Sequence, residues 1–342
     1  PGYNREEYVT YNRKGMSSGA LNRKGSFNSA ILPGENHDYP DADWPTREKI
    51  IERHKNFALG LIYFLQNDTS LSEEKRTGYR QIGLPLDEYP DNHNIPYEMY
   101  VREARRIVGR HVFKEQDNTL AAAYARTPVF SDSIAITDWA MDSHDCTTNR
   151  RPGYAYDGKL ILTEESHPAQ IPYRALLPQG VDNLLVPVCL SATHVAWGAV
   201  RLEPTFMQIG EAAGFAAALS KRLHTMPAQL DPDRLVRELC LNRMMVTFFN
   251  KMNVASDDPR IVAAQYFGTK GFFADYDARL DAPLGTDVEA LWLDAFEKLR
   301  QGNLHPSQLA TAIHATEAKN PPASNKRRGD VLLQLWNTLN QP

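Results

Sequence analysis

Nowhere in the 342 residues do two glycines stand two positions apart, so the chain has no Gly-x-Gly turn of the kind that brings a backbone against a dinucleotide pyrophosphate. Cysteine is scarce as well. Cys146, Cys189 and Cys240 are widely spaced with no Cys-x-x-Cys pair, so neither a disulfide framework nor a zinc or thioredoxin-like motif can be read. A basic excess is missing: 38 Lys plus Arg against 42 Asp plus Glu leave a formal charge of −4, and a nucleic-acid partner is not expected. The longest apolar stretches, Phe57 to Leu65 and Leu184 to Val200, are short or broken by Pro187, Ser191, Thr193 and His194, so no membrane span is expected. No charged segment followed by an apolar one stands at the start. With 42% hydrophobic and 23% charged residues, the chain has the material for a large core, in two domains or in one with appendages.

Residues 1 to 45 are rich in Gly, Asn, Pro and Asp and repeat Asn-Arg-Lys-Gly at 12–15 and 22–25, an echo too short to be an architectural repeat. Thr46 is placed to cap a helix running to Gln66, with Ile50, Ile51, Phe57, Leu61 and Leu65 near helical spacing. A second helix is expected over 72–81. A third is expected over 97–108, with Met99, Tyr100, Ala104 and Ile107 on one face, Arg102, Arg105 and Arg106 on a solvated one, and Gly109 ending it. From Val129 to Pro187 short β-branched runs, Ser133 to Thr137 and Lys159 to Thr163, mark strands, and 183–188 reads as a buried strand. A polar loop then leads to a small-residue helix over 206–222. Beyond it, Asp231-Pro232 and Asp258-Pro259 mark helix starts, and further helices fit 287–300, 306–317 and 329–339, with 321–328 read as an exposed linker.

The segment 183–219 places a polar loop before a helix rich in Gly and Ala, an arrangement that offers backbone N–H groups and a positive dipole end to an anionic or electron-rich ligand. Asn183 to Pro187, Ser191-Ala192-Thr193-His194, Arg201-Leu202-Glu203-Pro204, and Met207 through Gly210 to Ala213 stand in the order of the C-terminal signature of the FAD-dependent oxidoreductases with a glutathione-reductase-like flavin fold. The chain resembles that family there, and again at Tyr97, Val101 to Arg106 and Ile171 to Pro178. The resemblance implies FAD as cofactor, bordered by Ser191, Ala192, Thr193, His194, Arg201, Glu203, Pro204, Met207 and Gly210. It also implies an α/β fold: an incomplete FAD/NAD(P)-binding-like domain with a strand-rich, mixed α+β substrate region and a helical C-terminal tail. The expected division is 1–150 as substrate or cap region, 151–222 as the C-terminal portion of the flavin domain and 223–342 as a helical extension. A cation such as Arg201, or a helix start, would stabilise the charge that reduction puts near flavin N1 and O2.

Absence of the Gly-x-Gly turn departs from the family pattern. The expectation is that the chain is the C-terminal part of a longer protein and that alone it binds FAD poorly and is inactive. The expected partner is a small hydroxylated or sugar-like substrate, oxidised by hydride transfer to flavin. His194 and His144, the latter between Asp142 and Asp145, are the candidates for proton transfer; His144 reads more readily as a surface or turn residue, and His194 is the stronger because it lies within the signature. Arg174 and Tyr173 are the substrate-side candidates. Cys189 reads as a buried small hydrophobe. Two competing readings are a metal-dependent hydrolase or lyase, using Asp142, His144, Asp145 and His93 or His167 without HxH or HExxH spacing, and a carbohydrate- or partner-binding module in which Trp44, Trp139 and Trp197 stack.

Overall fold

A computed structural model describes residues 3–9, 31–147, 157–320 and 322–340, together with the backbone of 17–18 and 25–26. The chain divides into two compact units, one of Pro1–Ala104 with Asp145–Gly158, the other of Arg105–His144 with Lys159–Pro342. The fold is mixed α and β and mostly helical. Among the described residues, every strand pair is a small antiparallel one.

In the first unit, β1 (Ser17–Ser18) pairs with β2 (Gly25–Ser26), and α1 (Trp44–Asn67) carries the core. Its cap is Asp43, whose carboxylate accepts the Thr46 N–H at 3.0 Å, three residues before the position expected from Thr46. Phe57, Leu61, Phe64 and Leu65 recur at helical spacing and close over Tyr8 and Leu71. α2 (Glu73–Tyr79) starts at Ser72 as expected. No helix covers 97–108. The reason is visible at its C-terminal end, where long-range partners claim the backbone: the Ile107 N–H donates to the Cys189 carbonyl at 3.0 Å, and the Val108 carbonyl accepts from Gln179 at 3.0 Å. Arg106, expected on a solvated face, lies 5.3 Å from the Trp197 ring and donates to the Ala192 carbonyl.

In the second unit, β3 (Ser133–Thr137), buried throughout, pairs with β6 (Ala169–Pro172), and β4 (Met141–Ser143) pairs with β5 (Leu160–Leu162). α3 (His194–Val200) packs on β4 and α4 (Glu203–Leu223) on β3. The short α3 falls where a polar loop was expected. The expected strand over 183–188 is absent, and Leu184 and Val188 are half exposed. Pro187 offers no N–H to a ladder, and Val186 donates alone, to the Leu176 carbonyl. α5 (Pro232–Leu241) and α6 (Pro259–Gly268) begin at Asp231 and Asp258, whose carboxylates cap them as the acid-Pro pairs predict. β7 (Pro283–Gly285), α7 (Thr286–Arg300), α8 (Pro306–Glu317), β8 (Ala323–Arg327) and α9 (Arg328–Leu339) complete the chain. The stretch expected as a linker is in fact β8, which pairs with β7 through Gly285 opposite Ala323 and Pro283 opposite Arg327; residue 321 lies outside the described residues. One apolar core runs from Ile134 and Ile209 to Phe267, Trp292 and Trp336, so the C-terminal helices share it with β3 and α4.

Candidate functional site

The residues of the signature are held by a bent stretch of backbone that forms isolated bridges at Gly109 and Phe113. Residues 107–113 lie between 174–179 on one side and 189–193 on the other: Arg110 N–H donates to Leu177, His111 to Arg174, Phe113 to Ser191, and Thr193 back to Phe113 at 2.8 Å. A Cβ at Gly109 would stand 2.7 Å from the Ser191 Cβ and 3.1 Å from the Ala175 carbonyl, so the close approach of these segments requires glycine there. This binds Ser191 and Ala192 into the interior, with Ser191 1% exposed and its hydroxyl without a partner.

Thr193 ends the loop by accepting the Ala196 N–H at 3.3 Å, which starts α3 at His194. α3 lies directly on β4. A Cβ at Gly198 would fall within 2.8 Å of three backbone atoms of Asp142. The structure thereby sets His194, at the head of α3, and His144, just past β4, on two elements in contact. Arg201 closes α3 and its Nη2 donates to the Asp142 carboxylate at 3.2 Å, with 9% of the side chain exposed. From Leu202 the chain enters α4, whose start has no side-chain cap. Ile209, Ala212, Ala213 and Ala216 face inward, while Glu203, Pro204, Met207, Gly210 and Gly214 face out. Met207 is 72% exposed, and nothing approaches within 4 Å of a Cβ built on Gly210 or Gly214.

Tyr173 is 1% exposed, its hydroxyl donating to the Pro227 carbonyl at 2.9 Å, and burial pushes that hydroxyl well above the usual tyrosine range. Arg174 grips Asp132 through two parallel bonds of 2.8 and 3.2 Å and keeps nearly half its side chain exposed; the Asp132 carboxylate holds the guanidinium charged. Beside it stands a pair missed in the sequence, His111 Nε2 on the Asp117 carboxylate at 2.8 Å. No spacing rule marks two residues six apart in a loop. Cys189 is exposed, against the buried role expected, because its carbonyl and not its side chain faces the 107–113 segment. Trp197 is buried against Phe206 and Arg106, so it is not available to a stacking surface with Trp44 and Trp139. Among the described residues, no three His, Cys, Asp or Glu side chains are grouped to hold a metal ion, and no helix is long and apolar enough to cross a membrane.

Comparison with known proteins yields no matching curated protein and no matching solved structure. A family model described as FAD dependent oxidoreductase matches residues 3–239, well over half the chain and the whole of the loop and helix built above. The ordered signature and the fitted segment agree, and the chain belongs to the FAD-dependent oxidoreductase family, an oxidoreductase family whose cofactor is FAD.

Proposed function

We propose that this chain provides the ring side of a flavin site and part of a site for a small hydroxylated substrate. The observation that carries the reading is α4: its start is uncapped, its outward face is bare at Gly210 and Gly214, and it follows directly on the signature loop. That open face fits the flat ring of FAD. The pyrophosphate finds no such fit, since the described strand pairs are all antiparallel and no Gly-x-Gly turn exists to receive it. Residues 151–222 are the flavin-domain portion in this reading, with 223–342 as its helical extension.

Glu203, Met207 and Gly210 would border the ring, and Arg201, held by Asp142, would lend positive charge behind it. Bound FAD supplies a two-electron acceptor for hydride. His194 accepts the proton that the substrate hydroxyl releases as its carbon is oxidised, with His144, just past the adjoining β4, as the second candidate. Arg174, anchored on Asp132 with an open edge, orients a substrate oxygen; Tyr173, its hydroxyl already used, is left to the core.

Two measurements test this reading. Because only the ring end is provided for, FAD and riboflavin should quench or be quenched on titration with the same affinity within about threefold, both near 100 μM or weaker for ligands of this size. FAD binding a hundredfold tighter than riboflavin would sink the ring-only assignment. Gly210→Ala separates packing from binding: with open space around it, the new methyl should raise stability by about 0.5–1 kcal/mol through helix propensity while weakening riboflavin binding several-fold. Unchanged riboflavin affinity in that variant would move the ring elsewhere.

A further inference from the structure

A cavity of about 270 Å³ lies outside the segment matched to the family, among β7, the starts of α7 and α9, and the end of α8. Its charged lining is Arg279, Arg328 and Glu317. We propose that this cavity binds a small organic carboxylate, held by the guanidinium groups of Arg328 and Arg279.

Arg328 is the unusual member. Its side chain is 5% exposed, stacked 5.1 Å from the Trp292 ring and 5.6 Å from that of Phe273, and a single carboxylate contact holds it: Nη1 on Glu317 at 2.6 Å. Its Nε and Nη2 have no acceptor. These two atoms form one edge of the guanidinium, the edge that receives a carboxylate through two parallel bonds. A buried cation with that edge unsatisfied is costly, and burial accordingly draws its pKa downward. The edge is closed off from solvent as it stands, so binding requires the guanidinium to turn it toward the cavity, where a carboxylate removes the deficit.

The second cation stands ready. Arg279, 45% exposed along its side chain, already touches Asp275 at 2.7 Å and Glu317 at 3.4 Å, so Glu317 is shared between two arginines. With Asp275 counted, two carboxylates already balance the two arginines, so the attraction for a further carboxylate rests on the unpaired edge of Arg328 and not on a spare net charge. A doubly charged phosphate would meet the Glu317 carboxylate with greater repulsion than a singly charged carboxylate. Val288 and Ala323 give the wall an apolar part, and the volume holds about nine waters at roughly 30 Å³ each, which suits a carboxylate on a chain of a few carbons. The backbone at the start of α9 takes no part, since the Arg328 and Gly329 N–H groups already donate to Ala282 and Leu280.

Calorimetric titration of the whole chain with sodium propionate and sodium butyrate, at constant ionic strength and without flavin, tests the site. Saturable one-to-one binding is expected, weakened about tenfold in Arg279→Gln through loss of one charge-assisted contact and abolished in Arg328→Lys, which keeps the charge but not the fork. Should Arg328→Lys fail to fold, Ala323→Phe fills the cavity from an exposed strand position and must abolish binding alone. Absence of a binding heat at 10-fold excess over millimolar affinity, binding indifferent to both Arg279→Gln and Ala323→Phe, or inorganic phosphate binding as tightly as propionate would each overturn the proposal.

Discussion

Replacing Lys270 with methionine is expected to cost the chain about 3 kcal/mol at neutral pH, read as a lower urea midpoint. Lys270 is 2% exposed, in the turn after α6, and its ammonium is split between the Asp233 carboxylate at 2.9 Å and the Ser131 carbonyl at 2.7 Å. Asp233 is also met by the Tyr266 hydroxyl at 2.7 Å and by Arg237 at 2.7 Å. Methionine fills a similar volume and removes the charge with its N–H donors, leaving the Ser131 carbonyl without its donor and the carboxylate with one cation fewer in a partly desolvated place. Arg237 remains, which keeps the loss toward the lower end for a broken buried pair.

The pH dependence has a definite sign. Burial opposes ionisation of Asp233, but Lys270, with Tyr266 and Arg237, more than offsets it and holds the carboxyl below its ordinary 3.8. A depressed carboxyl stabilises the fold fully above that ordinary value and loses the contribution as pH falls through the folded-state value. The penalty of Lys270→Met should therefore be constant from about pH 8 to 5 and shrink as pH falls below about 4 and through the depressed folded-state value, where Asp233 takes up its proton and wild type also buries an unmatched ammonium. Adding Asp233→Asn to Lys270→Met should return about 1 kcal/mol or more, since the amide still accepts from Tyr266 and the cation left facing it, Arg237, is part-exposed and keeps the Leu339 carbonyl. A penalty that stays the same at pH 3 would show that packing, and not the ion pair, sets it.

Local signals carried the helices. The Asp-Pro pairs at 231 and 258 act within one turn, and the apolar repeats behind α7, α8 and α9 are read within a residue of Thr286–Arg300, Pro306–Glu317 and Arg328–Leu339. What failed was set from far along the chain. Residues 97–108 have an amphipathic count, yet the groups a helix would use at Ile107 and Val108 are bonded to residues some 70 to 80 positions away. β8, exposed and polar, has no hydrophobic alternation to announce it and exists because β7 pairs with it. The signature loop was legible because it is contiguous. Asp132 with Arg174, and His111 with Asp117, were not, because each pair meets through the fold and not through a fixed spacing.

Gly198 shows the same division within one residue, and its substitution should have the largest effect on the site. In sequence it falls in the stretch read as a polar loop, and nothing local marks it. In the structure α3 exists with glycine there because α3 rides on the backbone of Asp142, where any Cβ would come within 2.8 Å of three main-chain atoms that cannot turn aside. Gly198→Val must lift α3 off β4, at about 3 kcal/mol from overpacking, which corresponds to about 6–12 °C in melting temperature for a unit of this size. The displacement carries His194 at one end and breaks the Arg201 to Asp142 contact at the other, so riboflavin binding should fall about tenfold in the fraction that remains folded. Gly214→Ala, on the open face of α4, is the matched control and should melt no lower than wild type. Equal melting of Gly198→Val and wild type would mean that α3 and β4 do not meet as described, and with that contact would go the argument that sets His194 and His144 on adjoining elements.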